Sequence, residues 1–78
     1  MKVKVDPRTY KVSKIAPTVI ARIQGKLESL DVDPPRAKKK WLEMVDLEDG
    51  ERFAVSCHEE NGYTVITNVR KGQLWKRR

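Results

Sequence analysis

A chain of 78 residues is enough for one domain, and it buries only about 60% of the surface its unfolded form exposes, which excludes a deep ligand cavity. The single cysteine, Cys57, excludes an internal disulfide and a cysteine-built zinc site, and no stretch approaches the roughly 20 apolar residues of a membrane helix. A formal charge of +6 favours phosphate-rich partners, and Met1-Lys2-Val3-Lys4 lacks the apolar run of a signal peptide, so a cytoplasmic protein with no membrane partner, metal or cofactor is expected. In chain order, "MKVKV" alternates Lys and Val, the period-2 pattern of a half-buried strand, and Asp6-Pro7 breaks it. "TYKVSKI" reads as a resumed extended path. From Pro17 the period changes: Val19, Ile20, Ile23, Leu27 and Leu30 fall on one face of a helix, with Pro17 tolerated in its first turn. Gly25 inside it costs about 1 kcal/mol relative to Ala, which implies close packing there or a helix of limited stability. "DVDPPR" ends the helix, because the residue before each proline is pushed out of helical geometry.

Three strands follow, "KWLEMVDL", "RFAVSCH" and "YTVITNVR", separated by the hairpin signals Asp49-Gly50 and Asn61-Gly62. A short last strand, "QLWKR", is predicted after Lys71-Gly72. The fold class is therefore α+β, one helix packed on an antiparallel sheet of four to five strands, a β-meander. A two-residue turn at Asp49-Gly50 sets Leu42 and Met44 beside Cys57 and Val55, while a three-residue loop ending on a left-handed Gly62 sets Cys57, Val55 and Phe53 beside Val65, Thr67 and Val69. Helix residues Val19, Ile20, Ile23 and Leu27 are expected to cover that face at Phe53, Val55, Val65 and Val69. On the opposite face these registers put His58 beside Trp41 and Arg52 directly opposite Arg70. Like charges opposed in a sheet are unfavourable unless an anion sits between them.

Charge is segregated along the chain. Residues 1–40 carry eleven Lys/Arg against four acids, residues 41–69 carry Arg52 alone against seven acids, and residues 70–78 carry five basic residues and no acid. Basic ends suit a phosphate backbone or form a plain solvated surface, and the acidic middle is unusual for a pure nucleic-acid binder. No phosphate-cradling glycine loop, metal-ligand cluster or nucleophile elbow is present, so any chemistry must use scattered residues. His58 is the sole side chain of intrinsic near-neutral titration and a candidate acid or base; its plain reading is a polar strand residue near a turn. Trp75 is able to stack on a base or to cover a sheet edge, and Cys57, whose only nearby histidine is the adjacent residue, reads as buried filler rather than a catalytic thiol.

"PTVIARIQGKLESLDVDP" resembles the helix-to-proline stretch of the RelE/HigB-like toxins of bacterial toxin–antitoxin systems. "VITNVRKGQLWKRR" is similar to their closing strands, where a basic pair precedes a final aromatic and further basic residues. The likeness covers about two thirds of the chain. It implies a ribosome-associated mRNA endoribonuclease with an antitoxin-like protein partner, in which basic side chains on the sheet neutralise phosphate and a late aromatic orients a base. Carried over to this sequence, the catalytic positions are Arg52 and Arg70, joined by His58, and the RNA-binding positions are Lys71, Trp75, Lys76 and Arg77. Departures are visible: the family has two helices before the sheet where this chain offers one good one, and Trp75 stands where the family has a tyrosine, removing a phenolic hydroxyl from acid–base work. The competing reading is a non-enzymatic interaction module, a phage or accessory protein docking to a larger protein or nucleoprotein complex through complementary charge.

Overall fold

The computed structural model describes residues 2–30 and 40–72. The elements run β1 (Val3–Val5), α1 (Thr9–Ser13), α2 (Pro17–Leu30), β2 (Trp41–Asp46), β3 (Arg52–Glu60) and β4 (Tyr63–Lys71). They form one four-stranded sheet in the order β1-β4-β3-β2, with β2, β3 and β4 an antiparallel meander and β1 parallel to β4. The architecture is thus α+β, as the sequence patterns predict. The expected last strand at "QLWKR" lies outside the described residues.

Helix α2 presents Ile20, Ile23 and Leu27 as its buried stripe. The core continues through Val3, Val45, Leu47, Phe53, Val55, Cys57, Ile66 and Val69, with Trp41 and Val19 packed against it. Val65 is buried too, but it pairs with His58 and so belongs to the other face; Ile66 takes the core place expected for it. A methyl group added at Gly25 would meet nothing within 4 Å, so this glycine reflects limited helix stability rather than close packing.

"TYKVSKI" is not extended. Asp6 accepts the Arg8 N–H on its side chain and the Thr9 N–H on its carbonyl, a turn that starts α1, and Lys14 ends it in the left-handed region at φ 56°. The short helix takes over from β1 along the edge of β4. Thr9 Oγ1 donates to the Ile66 carbonyl at 2.9 Å, and Ser13 Oγ accepts the Val69 N–H at 2.8 Å, so two hydroxyls do for β4 what a longer strand would do. The outer edge of β1 is closed in the same manner by α2, through Gln24 Nε2 to the Val3 carbonyl and the Val3 N–H to Glu28.

Both hairpin registers differ from expectation by one residue. Leu47 pairs with Glu51 across a three-residue loop whose Gly50 has φ 89°, and Asn61-Gly62, with φ 51° and 84°, forms a two-residue turn that sets Glu60 beside Tyr63. The first shift turns β2 over: Trp41 and Val45 face the core, while Leu42 and Met44 are exposed on the open face. The second is absorbed by a bulge at Thr67, whose hydroxyl donates to the Ser56 carbonyl; beyond it Val55 faces Val69 and Ala54 faces Arg70.

Candidate nucleic-acid interface

The sheet face away from α2 is built by strand alternation. β1 contributes Lys4, β4 contributes Tyr63, Val65, Asn68 and Arg70, β3 contributes Arg52, Ala54, Ser56, His58 and Glu60, and β2 contributes Leu42, Met44 and Asp46. Arg52 and Arg70 do share this face, but they are not opposed. Arg70 stands across from Ala54 and Arg52 across from Asp46, leaving the arginines diagonal neighbours roughly 7 to 8 Å apart at the backbone.

Their electrostatic states differ. Arg52 is held by Asp46 through two hydrogen bonds, Nε to Oδ1 at 2.5 Å and Nη2 to Oδ2 at 3.1 Å. That fork keeps the Asp46 carboxyl below its usual range and the guanidinium above its own. Arg70 is exposed and makes no ion pair among the described residues.

The sequence-derived grouping of His58 with the arginines does not hold. His58 stands six residues along β3 from Arg52, about 20 Å by strand rise, and its Nε2 lies 3.2 Å from Glu60 Oε1, a carboxylate oxygen that accepts. Trp41 is not its neighbour, because the β2 register sends the indole to the core side with its Nε1 donating to Glu43. Cys57 is fully buried and its thiol is pushed up to about 12, first by burial and then by the Glu43 charge, which makes it inert. Lys71 pairs with Phe53, hence faces the helix side, and is tied to Glu51 at 3.4 Å. Trp75, Lys76 and Arg77 lie outside the described residues.

One grouping was missed by the sequence reading. Ser13 accepts the Val69 N–H and donates its own proton to Asn68 Oδ1 at 3.0 Å. With the amide oxygen so engaged, the Asn68 NH2 is left as a donor beside Arg70. The same bonds dock the C-terminal end of α1 on β4, so Ser13 from the N-terminal basic segment lies in one seam with Arg70 from the C-terminal one. A cleft of about 370 Å³ lies at this seam, lined by Val12, Ser13, Ile15, Asn68, Arg70 and Lys71 among others. Only a tertiary contact 55 residues apart creates it, and no sequence signal marked "TYKVSKI" as the segment that makes it.

The acidic hairpin loop has the complementary effect. Its carboxylates engage Arg52 (Asp46), Arg22 (Asp49, 3.5 Å) and Lys71 (Glu51), which offsets part of the positive potential at those three cations. Lys11, Lys14 and Arg70 make no ion pair among the described residues, and of the three Arg70 lines the cleft. No group of three or more His, Cys, Asp or Glu able to hold a metal occurs among the described residues, and none of their helices is long and apolar enough to cross a membrane. In comparisons with known proteins the chain matches no family model, no curated protein and no solved structure.

Proposed function

We propose that the chain binds RNA along the seam between α1 and β4, with Lys11, Lys14 and Arg70 taking backbone phosphates and the Asn68 amide offering a neutral donor beside them. The observation that carries this reading is the cleft at the α1–β4 seam, where Arg70, in no ion pair among the described residues, and the Asn68 amide meet the α1 end docked by Ser13, while the acidic hairpin engages Arg22, Arg52 and Lys71. An exposed cation and a neutral donor held side by side by a folded scaffold suit a phosphate better than scattered surface charge does. The basic residues Lys76 and Arg77 and the aromatic Trp75, which follow Gly72 in sequence, extend the same chemistry.

Binding is supported better than cleavage. A RelE-like endoribonuclease must activate a ribose hydroxyl beside the phosphate it neutralises, and the one histidine stands about 16 Å along the sheet from Arg70, five residues from its partner Val65. The test is titration of a labelled single-stranded RNA over a salt series. Arg70→Glu and Lys14→Glu are each expected to weaken binding and to flatten its salt dependence by about one phosphate's worth of released counterions. Lys26→Glu, on α2 beside Leu47 and Glu48 and outside the seam, serves as the control. Equal loss from all three variants, or no affinity at low salt, overturns the reading, and cleavage of the RNA that survives His58→Ala would assign catalysis to other residues.

A further inference from the structure

The two edges of the sheet are treated differently. The outer groups of β1 are closed by Gln24 and Glu28, and β4 beyond β1 is closed by Thr9 and Ser13. At the other edge, among the described residues, nothing bonds the outward backbone of β2. Its geometry follows from the hairpin: Leu47 N–H bonds the Glu51 carbonyl at 2.8 Å, so the odd residues 41, 43 and 45 bond β3 while Leu42, Met44 and Asp46 turn their N–H and C=O groups outward. Natural edges of this kind are covered, charged or bulged; β2 instead sets Leu42, 67% exposed, and Met44, 44% exposed, beside its open backbone.

We infer that β2 is a homodimer edge, pairing antiparallel with β2 of a second copy about a twofold axis through Met44. A twofold axis perpendicular to the sheet keeps both open faces on one side and requires facing residues of like parity. Three such registers keep the strands largely overlapped. Centring on Glu43 opposes two like carboxylates at the axis, and centring on Val45 sets Leu42 against Glu48 of the loop, so that either leaves only four backbone hydrogen bonds between strand residues. Centring on Met44 is the one that engages Leu42, Met44 and Asp46 with one another, forming six intermolecular backbone hydrogen bonds. It sets Met44 against Met44 and Leu42 beside the stem of Asp46 on the open face, and Trp41 against Leu47 on the core side. At each end it brings Lys40 opposite Glu48, two exposed side chains of opposite charge that have no ion-pair partner among the described residues. The product is a continuous eight-stranded sheet with the α1–β4 seams at its two far ends, so the inference does not rest on the RNA reading.

A six-residue strand pairing is a small interface, and reversible dimerisation in the micromolar range is expected. Sedimentation equilibrium of the full chain across a concentration series measures it. Met44→Lys, which sets two like charges at the axis, is expected to raise the dimer dissociation constant by at least about tenfold, with circular dichroism unchanged because Met44 is exposed. Lys40→Glu and Glu48→Lys should each weaken the dimer, and the two together should restore it, since each swapped charge then meets its opposite. That exchange lies at exposed positions and stays informative if Met44→Lys unfolds the chain. A monomer at every concentration up to millimolar, a dimer indifferent to Met44→Lys, or a double exchange that fails to restore association overturns the inference.

Discussion

The β2–β3 and β3–β4 hairpins share a strand, and each carries a residue-glycine pair of the kind that marks a tight turn, yet they close differently. Asn61-Gly62 takes left-handed geometry at both positions, φ 51° and 84°, the mirror-image turn whose twist suits two strands joined directly. At the other hairpin only Gly50 is left-handed, at φ 89°. There Asp49 accepts the Glu51 N–H on its side chain, and Glu48 and Asp49 form the body of a three-residue loop. The physical difference is in the first residue of the pair. Asparagine tolerates the left-handed region and here enters it, whereas this aspartate gains more by bonding ahead along the backbone. One residue of loop length then decides which face an entire strand presents.

The largest expected effect tests that consequence directly. Val45 is fully buried and its neighbour Met44 is 44% exposed. Val45→Ala removes two methyl groups from a packed site and should cost about 2 to 3 kcal/mol in urea denaturation, while Met44→Ala should change stability by no more than about 0.5 kcal/mol. Had β2 kept the register expected from a two-residue turn, the order would be reversed. A larger loss from Met44→Ala would therefore break the assignment of faces.

Much of the fold was readable for a reason the two hairpins make plain. Where apolar periodicity is strong, as in α2 or along β3, alternation names the buried residues whatever the neighbouring strand does, and Ile20, Ile23, Leu27, Phe53, Val55 and Cys57 all lie inside. Register is a relation between strands and depends on turn geometry, which a two-letter signal leaves open by one residue. That is why Arg52 and Arg70 were expected to oppose each other and instead sit diagonally, with Asp46 neutralising one of them. Segment "TYKVSKI" was harder still. Its five-residue helix has no amphipathic repeat, and it is fixed by two hydroxyls bonding a strand more than fifty residues away. The candidate site inherits this: its arginine lay in plain view, but α1 and Asn68 join it only through the tertiary contact of Ser13.

Next in size are the turn glycines, which separate backbone strain from packing. No atom lies within 4 Å of a methyl group placed on Gly50 or Gly62, so an alanine there meets only the left-handed backbone. Each substitution should cost about 1 to 2 kcal/mol, and a D-alanine at position 62, introduced by chemical synthesis, should restore or exceed the native stability because its preferred φ is positive. Gly25 is equally unencumbered but helical, and Gly25→Ala should stabilise by up to about 1 kcal/mol. If L-alanine and D-alanine at position 62 proved equivalent, the turn would not be left-handed and the β3–β4 register would fall with it.

The smallest expected effect sharpens the comparison through pH. The β2–β3 hairpin carries two carboxyls held below the ordinary value of 3.8, Asp46 by its fork with Arg52 and Asp49 chiefly by the Glu51 N–H. A carboxyl that titrates lower in the folded chain than in the unfolded one is protonated first in the unfolded chain as pH falls. Its contribution is therefore complete above the unfolded value and disappears as pH drops through the lower folded one. Both groups are exposed, so the loss is modest and should shrink further in high salt. Melting temperature between about pH 5 and about pH 2 should consequently fall less steeply for Asp46→Asn and Asp49→Asn than for the native chain. Asp6, lowered by the Arg8 backbone and guanidinium, supplies a third such carboxyl outside both hairpins, so the double variant should retain part of the acid slope. Residue-resolved hydrogen exchange makes the sharper demand. On acidification, amides that bond β2 to β3 should lose protection before those that bond β3 to β4, and a uniform loss along both, or asparagine variants that track the native chain, would show that these carboxylates do not set the difference between the two hairpins.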